Sequence, residues 1–302
     1  MIKRGDVEME KGVRFYLKSR LSLFSAGEDY ENAGYIVFGV PFDSTTTFIP
    51  GCRFGPLAIR LFSENVDYPD MDEACLRVAD LGDLVPTVNV RWMLKRVYRV
   101  VEKIIGDGKK PVILGGEHTL TLASLKALAK YVEPTVIIFD THLDLRSEFM
   151  DTRINHATWL RRFLEKKTGK VAVVGCRDFS REEVEYAGKN IDLLISAESI
   201  EENIDEAVDR FNSFLKNSEE IYVSIDLDVL EQQGIIGVSN PSPRGLTYAQ
   251  ITKFLDEILR EKIVGLDVVE ANPLIDRGVS ASYGAYLIYY ILFRKDSSRT
   301  PY

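Results

Sequence analysis

Residues 135–144 read TVIIFDTHLD, and residues 221–228 read IYVSIDLD. In each, a short run that is apolar on both faces closes on acidic or imidazole side chains. Nearly continuous apolar runs of this length suit strands buried on both sides, as in a parallel sheet. The pattern recurs at YIVFGV (35–40), PVILGG (111–116), KVAVVGC (170–176), DLLISA (192–197) and KIVGLDVVEA (262–271). Helical patterns lie between the runs. Over 89–105, Val90, Met93, Leu94, Val97, Val101, Ile104 and Ile105 recur at helical spacing, with Gly106 placed to stop the helix. Ser199 with Glu202, and Thr247 with Gln250, have the spacing of capping boxes. This alternation predicts an α/β fold, a three-layer α/β/α sandwich on a mainly parallel central sheet. No internal repeat or Pro/Gly/Ser-rich linker interrupts it, so residues 1–302 read as a single domain.

In an open sheet of this kind ligands bind beyond the carboxyl ends of the strands. The sequence places its chemistry there. VILGG is followed by Glu117 and His118, TVIIF by Asp140, His142 and Asp144, IYVSI by Asp226 and Asp228, and IVGLDVV by Glu270. With the period-two alternation of an extended chain, Asp140, His142 and Asp144 share one face, and so do Asp226 and Asp228. Four aspartates at one sheet edge repel one another unless cations offset them, and two divalent ions would balance their charge. Oxygen and imidazole ligands without thiolate suit a hard or borderline ion such as Mn2+. Taken singly, D-x-H-x-D, D-x-D and GGEH each have a plain structural reading as a strand end or glycine turn. Their joint position on one sheet edge points to metal. The chain has only three histidines, and the third, His156, follows the D-x-H-x-D run by a short polar loop; it is either a proton shuttle or a turn residue.

Composition narrows the partners. Net charge is −8, with acidic residues spread along the chain and no basic patch, which argues against nucleic acid. Cys52, Cys75 and Cys176 are odd in number and widely spaced, as in a reducing, cytoplasmic setting. The segment MIKRGDVEMEKGVRFYL lacks the apolar core of a signal peptide, and the longest apolar stretch, Ala285–Phe293, is too short to cross a bilayer.

Together with P-G-x-R-x-G-P-x-A-I-R at 50–60, NHAT at 155–158 and DVVEANP at 267–273, the ordered motifs resemble those of the ureohydrolases: arginases, agmatinases and their relatives. The resemblance runs from about Val40 to Pro273. It implies an arginase-like fold and two Mn2+ per subunit, one held by His118, Asp140, Asp144 and Asp226, the other by His142, Asp140, Asp226 and Asp228. It also implies a metal-activated water attacking a guanidinium carbon. Asp228 contacts that water, Glu270 grips the cationic guanidino substrate, and His156 passes a proton to the leaving amine. Asn155 and Asp151, in the loop after the D-x-H-x-D run, would meet the substrate's far end. The stretch 140–162 looks more like agmatinases, especially archaeal ones, than arginases. Agmatine, giving putrescine and urea, is therefore the expected substrate. Assembly as a homo-oligomer, trimer or hexamer, is implied by the resemblance alone.

Duller roles are expected for Gly51, Gly55 and Pro56 (turn and helix start), Glu117 (support of its metal-ligating neighbour) and Cys176 (packing). The chain departs from the family where Asp-Pro usually follows D-x-D; residues 231–244 differ there, and Thr141 replaces the usual Ala. These differences keep other readings open: an arginase or other guanidino or formimino hydrolase, or a metal-binding homologue without turnover. A single-zinc deacetylase is argued against by the ligand pattern.

Overall fold

All seven apolar runs are strands in the computed structural model, which describes residues 17–18, 21–66, 78–166, 168–231, 237–258 and 263–293. In chain order the strands are β1 (Leu17–Lys18), β2 (Tyr35–Gly39), β3 (Val78–Leu84), β4 (Lys110–Leu114), β5 (Thr135–Phe139), β6 (Lys170–Cys176), β7 (Leu193–Ser196), β8 (Ile221–Asp226) and β9 (Ile263–Val269). They form one sheet in the order β1-β3-β2-β4-β9-β8-β5-β6-β7. Only β1 runs antiparallel to its neighbour. The readings of residues 1–16 and of Cys75 lie outside the described residues.

Alternate strand residues enter different cores, so both faces are covered. Ile137, Phe139, Val223 and Ile225 pack on one side with Phe254 and Leu255 of helix Tyr248–Ile258 and with Ile288 of helix Val279–Phe293. Val136, Ile138 and Tyr222 pack on the other with Leu122 and Leu125 of helix Thr121–Leu128 and with Trp159. This double burial is why the runs lack the polar alternation of a one-sided sheet.

The helix expected from residue 89 spans Val90–Gly106, opened by Asn89, whose side chain accepts from Arg91 N and Trp92 N. Gly106 is its last residue; the left-handed turn beyond it falls on Gly108. Thr247 and Gln250 form the expected reciprocal cap. Ser199 does not open a helix. It lies inside Ala197–Glu202, which Ser196 caps, while Asn203 caps the next helix, Ile204–Leu215. Pro56 sits in the first turn of Gly55–Ser63, as its fixed φ favours, and Gly51 takes φ 140°.

Strand β3 was not legible, because Asp80 and Asp83 break its apolar pattern. Their partner is Arg60, the last residue of the P-G-x-R motif stretch. Arg60 is 2% exposed. Its guanidinium forks to Asp80 at 2.8 and 2.9 Å, reaches Asp83 at 2.5 Å and also donates to the Gly82 carbonyl. Asp80 in turn accepts from Leu23 N and Gly82 N. Removing one member of such a buried network leaves the other charges uncompensated. Arg60→Ala is expected to lower stability by about 3–5 kcal/mol in urea unfolding, with Arg60→Lys recovering only part because an ammonium cannot fork to both aspartates.

Candidate metal centre

The carboxyl ends of β4, β5, β8 and β9 meet at the middle of the sheet. Gly116 makes this possible: a Cβ there would overlap the Phe42 carbonyl, and its own carbonyl accepts from Glu270 N at 2.8 Å. His118, Asp140, Asp144, Asp226, Asp228, Glu117 and Glu270 are all buried at this edge, and His142 is half-buried.

The histidines organise the cluster. His118 Nδ1 lies 3.0 Å from Asp140 Oδ2, 3.3 Å from Asp226 Oδ2 and 3.5 Å from Asp144 Oδ2. His142 Nδ1 lies 2.9 Å from Asp228 Oδ2 and 3.6 Å from Asp140 Oδ1. Two sets thus form, His118–Asp140–Asp144 and Asp140–His142–Asp228, with Asp140 common to both. Asp226 joins the first set through Oδ2, while its Oδ1 accepts from Asp228 N at 2.9 Å.

The residues fit divalent cations. His118 Nδ1 is buried with no hydrogen-bond partner. Ligands about 2.1 Å from a common ion stand about 3.0–3.4 Å apart at right-angled or tetrahedral edges, the spacing seen around that nitrogen. The proton bookkeeping agrees. Ser224 Oγ donates to Asp267 at 2.5 Å, so it can only accept from His118 Nε2, 2.9 Å away; Nδ1 is left bare for a cation. Asp267 also accepts from Tyr222 and Thr121, which fixes it behind the site. Trp159 packs against the His118 ring at a tilt of 41° and donates Nε1–H to Asp144 at 2.6 Å.

Electrostatics show the tension that ions would relieve. Burial, then the charge of Asp140 or Asp228, holds the Asp144 and Asp226 carboxyls well above the usual carboxylate range. Burial opposes the charged form of His118 and His142, but the surrounding carboxylates outweigh it and raise both. Glu270 is pushed up to about 8 by burial and by Glu117. One Glu270 oxygen accepts from His118 N at 2.9 Å; the other is buried and has no partner.

The pairing of alternate residues does not come from extended strands. Asp144 has φ 51° and Glu270 φ 64°, and Asp228 lies in a short 3-10 turn, Leu227–Val229. The i and i+2 residues are joined instead by side chain to backbone bonds: Asp140 Oδ1 accepts from His142 N at 2.6 Å, as Asp226 Oδ1 does from Asp228 N. Thr141 is more than a small replacement, since its hydroxyl donates to the Asp228 carbonyl at 2.7 Å.

His156 Nε2 lies 2.8 Å from Thr47 Oγ1, and burial, then the charges of His142 and His118, depress it to about 4. Glu117 accepts from Thr45 N, Thr45 Oγ1 and Thr119 Oγ1, so it secures the loop that carries Thr47. Asn155 departs from expectation. It is fully enclosed, with Nδ2 donating to Phe149 O and Oδ1 accepting from Ala157 N, so its amide shapes the loop. Asp151 is exposed at the tip of that loop with φ 58°. Cys176 is buried at a strand end, a packing residue as expected. Arg177 donates to the carbonyls of Gly175, Asp228, Val229, Ser242 and Pro243. None of these partners was legible, because each joins neutral or distant groups across the chain.

The sequence profile of the arginase family matches residues 33–293. The chain is 36% identical to an agmatinase of Pyrococcus horikoshii over 87% of its own length and 93% of the relative's. It is 35% identical to the N(1)-aminopropylagmatine ureohydrolase of Thermococcus kodakarensis, with 86% and 90% covered. Among solved structures, the agmatine ureohydrolase of Thermoplasma volcanium superposes with a TM-score of 0.81 at 30% identity, covering 91% of this chain and 94% of that one. Among the described residues no helix is long and apolar enough to cross a membrane.

Carboxyls raised above their ordinary range lose their stabilising protonation as pH climbs, while cation binding strengthens as the ligands deprotonate. Chelation is therefore expected to lower the melting temperature, and by more at pH 8 than at pH 6. Unchanged melting at both would count against a shared cation site.

Proposed function

The chain belongs to the arginase family, and on that premise we propose that it is a metal-dependent hydrolase cleaving the guanidino group of agmatine to putrescine and urea. The observation that carries this reading is Glu270 Oε2, a buried carboxylate oxygen without a partner beside the two ligand sets. An isolated buried carboxylate is costly. A planar guanidinium is the cation it suits, accepting N–H bonds at fork spacing.

In this reading His118, Asp140, Asp144 and Asp226 would hold one Mn2+, and His142, Asp140, Asp226 and Asp228 would hold the other. When bound, two such ions lower the pKa of a shared water and make hydroxide available near neutral pH. Glu270 would clasp the guanidinium and orient its carbon, its other oxygen being fixed by the His118 amide. Asp228, buried between Thr141 N and His142, keeps the attacking side oriented. His156 delivers the proton that the departing amine needs as the C–N bond breaks, with Thr47 holding its ring.

The preference for agmatine rests on the names of the similar proteins and on the mouth. Phe48 and Met150 are exposed beside Thr47 and in the His156 loop, and Arg146 and Arg153 there face Glu183 and Glu165. Such a rim favours methylenes over the carboxylate of arginine. Asp151 would meet a cationic far end. A longer substrate of the aminopropylagmatine type is the second reading, supported by the 35% identical relative. Assembly as a homo-oligomer in the cytoplasm belongs to the same proposal.

Urea release should be measured with Mn2+ on agmatine, aminopropylagmatine and arginine, for the native chain and Asp226→Asn. Urea from agmatine that the substitution abolishes is expected. Urea from arginine alone would overturn the substrate, and full metal occupancy without urea from any guanidino compound would assign a binding homologue. Glu270→Gln should lower kcat/KM roughly 10²-fold or more. Its effect on folding runs the other way. A carboxyl raised to about 8 from 4.5 destabilises the fold progressively as pH rises between those values. Chelated Glu270→Gln should therefore melt higher than chelated native protein at pH 8, the gap closing toward pH 4.5.

A further inference from the structure

We propose that Asn240, in the stretch where the sequence departs from the family, is a positioning residue that sets the tautomer of His142 for cation binding. The inference rests on the reading of His142 as a metal ligand. Asn240 Nδ2 lies 2.9 Å from His142 Nε2, so the amide as placed presents its donor side to the ring. A neutral imidazole carries one proton on two nitrogens. At this distance the pair is complementary in two arrangements only. Either a bare Nε2 accepts from Nδ2–H, with the proton on Nδ1 facing Asp228, or Nε2–H donates to Oδ1, with Nδ1 bare. A half-turn of the amide interchanges them without moving the backbone. A cation on Nδ1 requires the second arrangement, in which Asn240 is an acceptor. His118 has the same provision in Ser224, whose hydroxyl proton is committed to Asp267.

The backbone holds Asn240 in place from both sides. Before it, Gly237 O accepts from Asn272 N at 2.6 Å, Val238 bridges Ala271, and Ser239 O accepts from Ile49 N at 3.3 Å. After it, Ser242 O and Pro243 O accept from Arg177 at 2.9 and 2.8 Å. The same guanidinium holds the Asp228 carbonyl at 2.8 Å, so Asn240 and Asp228 are referred to one anchor. Pro241 and Pro243 restrict the backbone on its far side. A residue so fixed, with its amide on the ring nitrogen opposite the ligating one, has the geometry of a group that orients a metal histidine.

Mn2+ binding, followed by calorimetry on the full chain, tests this. Asn240→Leu keeps the side-chain volume and removes both hydrogen-bonding atoms; it should weaken one of the two Mn2+ sites by about 10- to 100-fold and spare the other. Asn240→Asp keeps an acceptor and should bind within a few-fold of the native chain, or tighter. If the leucine variant does not fold, the aspartate variant decides: retained affinity supports the assignment, and a loss beyond 10-fold overturns it. Unchanged Mn2+ affinity in folded Asn240→Leu, with a raised KM for agmatine, would make Asn240 a substrate contact and overturn the proposal. His142→Ala separates the premise: if it keeps both sites at native affinity, His142 is not a ligand and the metal reading itself fails. If it loses one site while Asn240→Leu loses none, only the role of Asn240 fails.

Discussion

Four buried aspartates at one sheet edge cannot all be ionised without positive charge among them, and most of the site follows from that constraint. Two imidazoles answer part of it, and each turns Nδ1 toward the carboxylates. Two buried or half-buried arginines are engaged elsewhere: Arg60 is committed to β3, and Arg177 to a ring of carbonyls. Among the described residues no guanidinium pairs with these aspartates, and in the proposed reading that leaves the centre open to cations from outside. Glu270 extends the logic outward, since its unpartnered oxygen is tolerable only beside a bound cation or as a neutral acid.

A second constraint is the single proton of a neutral imidazole. Each of the three histidines has Nε2 within 3 Å of a neutral polar side chain, Ser224, Asn240 or Thr47. Partners of this kind fix ring orientation without adding charge to a crowded site. They also join the elements that bear the chemistry to loops that do not, so that the β2 loop and residues 237–243 become part of the centre.

The sheet and the cluster of acidic and imidazole residues at its edge were legible because they obey strong local rules. Runs apolar on both faces mark buried parallel strands, and acidic clusters at their ends mark the ligand-binding edge. β3 was hidden because its aspartates answer an arginine about twenty residues upstream. The expectation of extended-strand alternation named residues that the structure does bring together, but by a different geometry. Asp140 with His142, and Asp226 with Asp228, are brought together by a carboxylate gripping the amide two residues on. Trp159 and Thr47 left no trace, because a neutral residue bonded to one far away in sequence alters neither periodicity nor charge. Asn155 was overcalled for the opposite reason: a polar residue beside a site histidine is as readily a loop brace.

The position of β9 bears on how such a chain is made. It is the last strand in sequence yet lies between β4 and β8, and those two share no pairing without it. While the chain emerges from the ribosome, β2 to β4 and β5 to β8 can form only as two part-sheets, each with a bare apolar edge. His118 belongs to the first part and the aspartates with His142 to the second, so the set Asp140–His142–Asp228 lies within one part, while the set that includes His118 spans both. Assembly of the His118 set is thereby tied to β9, and until that strand is in place the edges of β4 and β8 are unpaired.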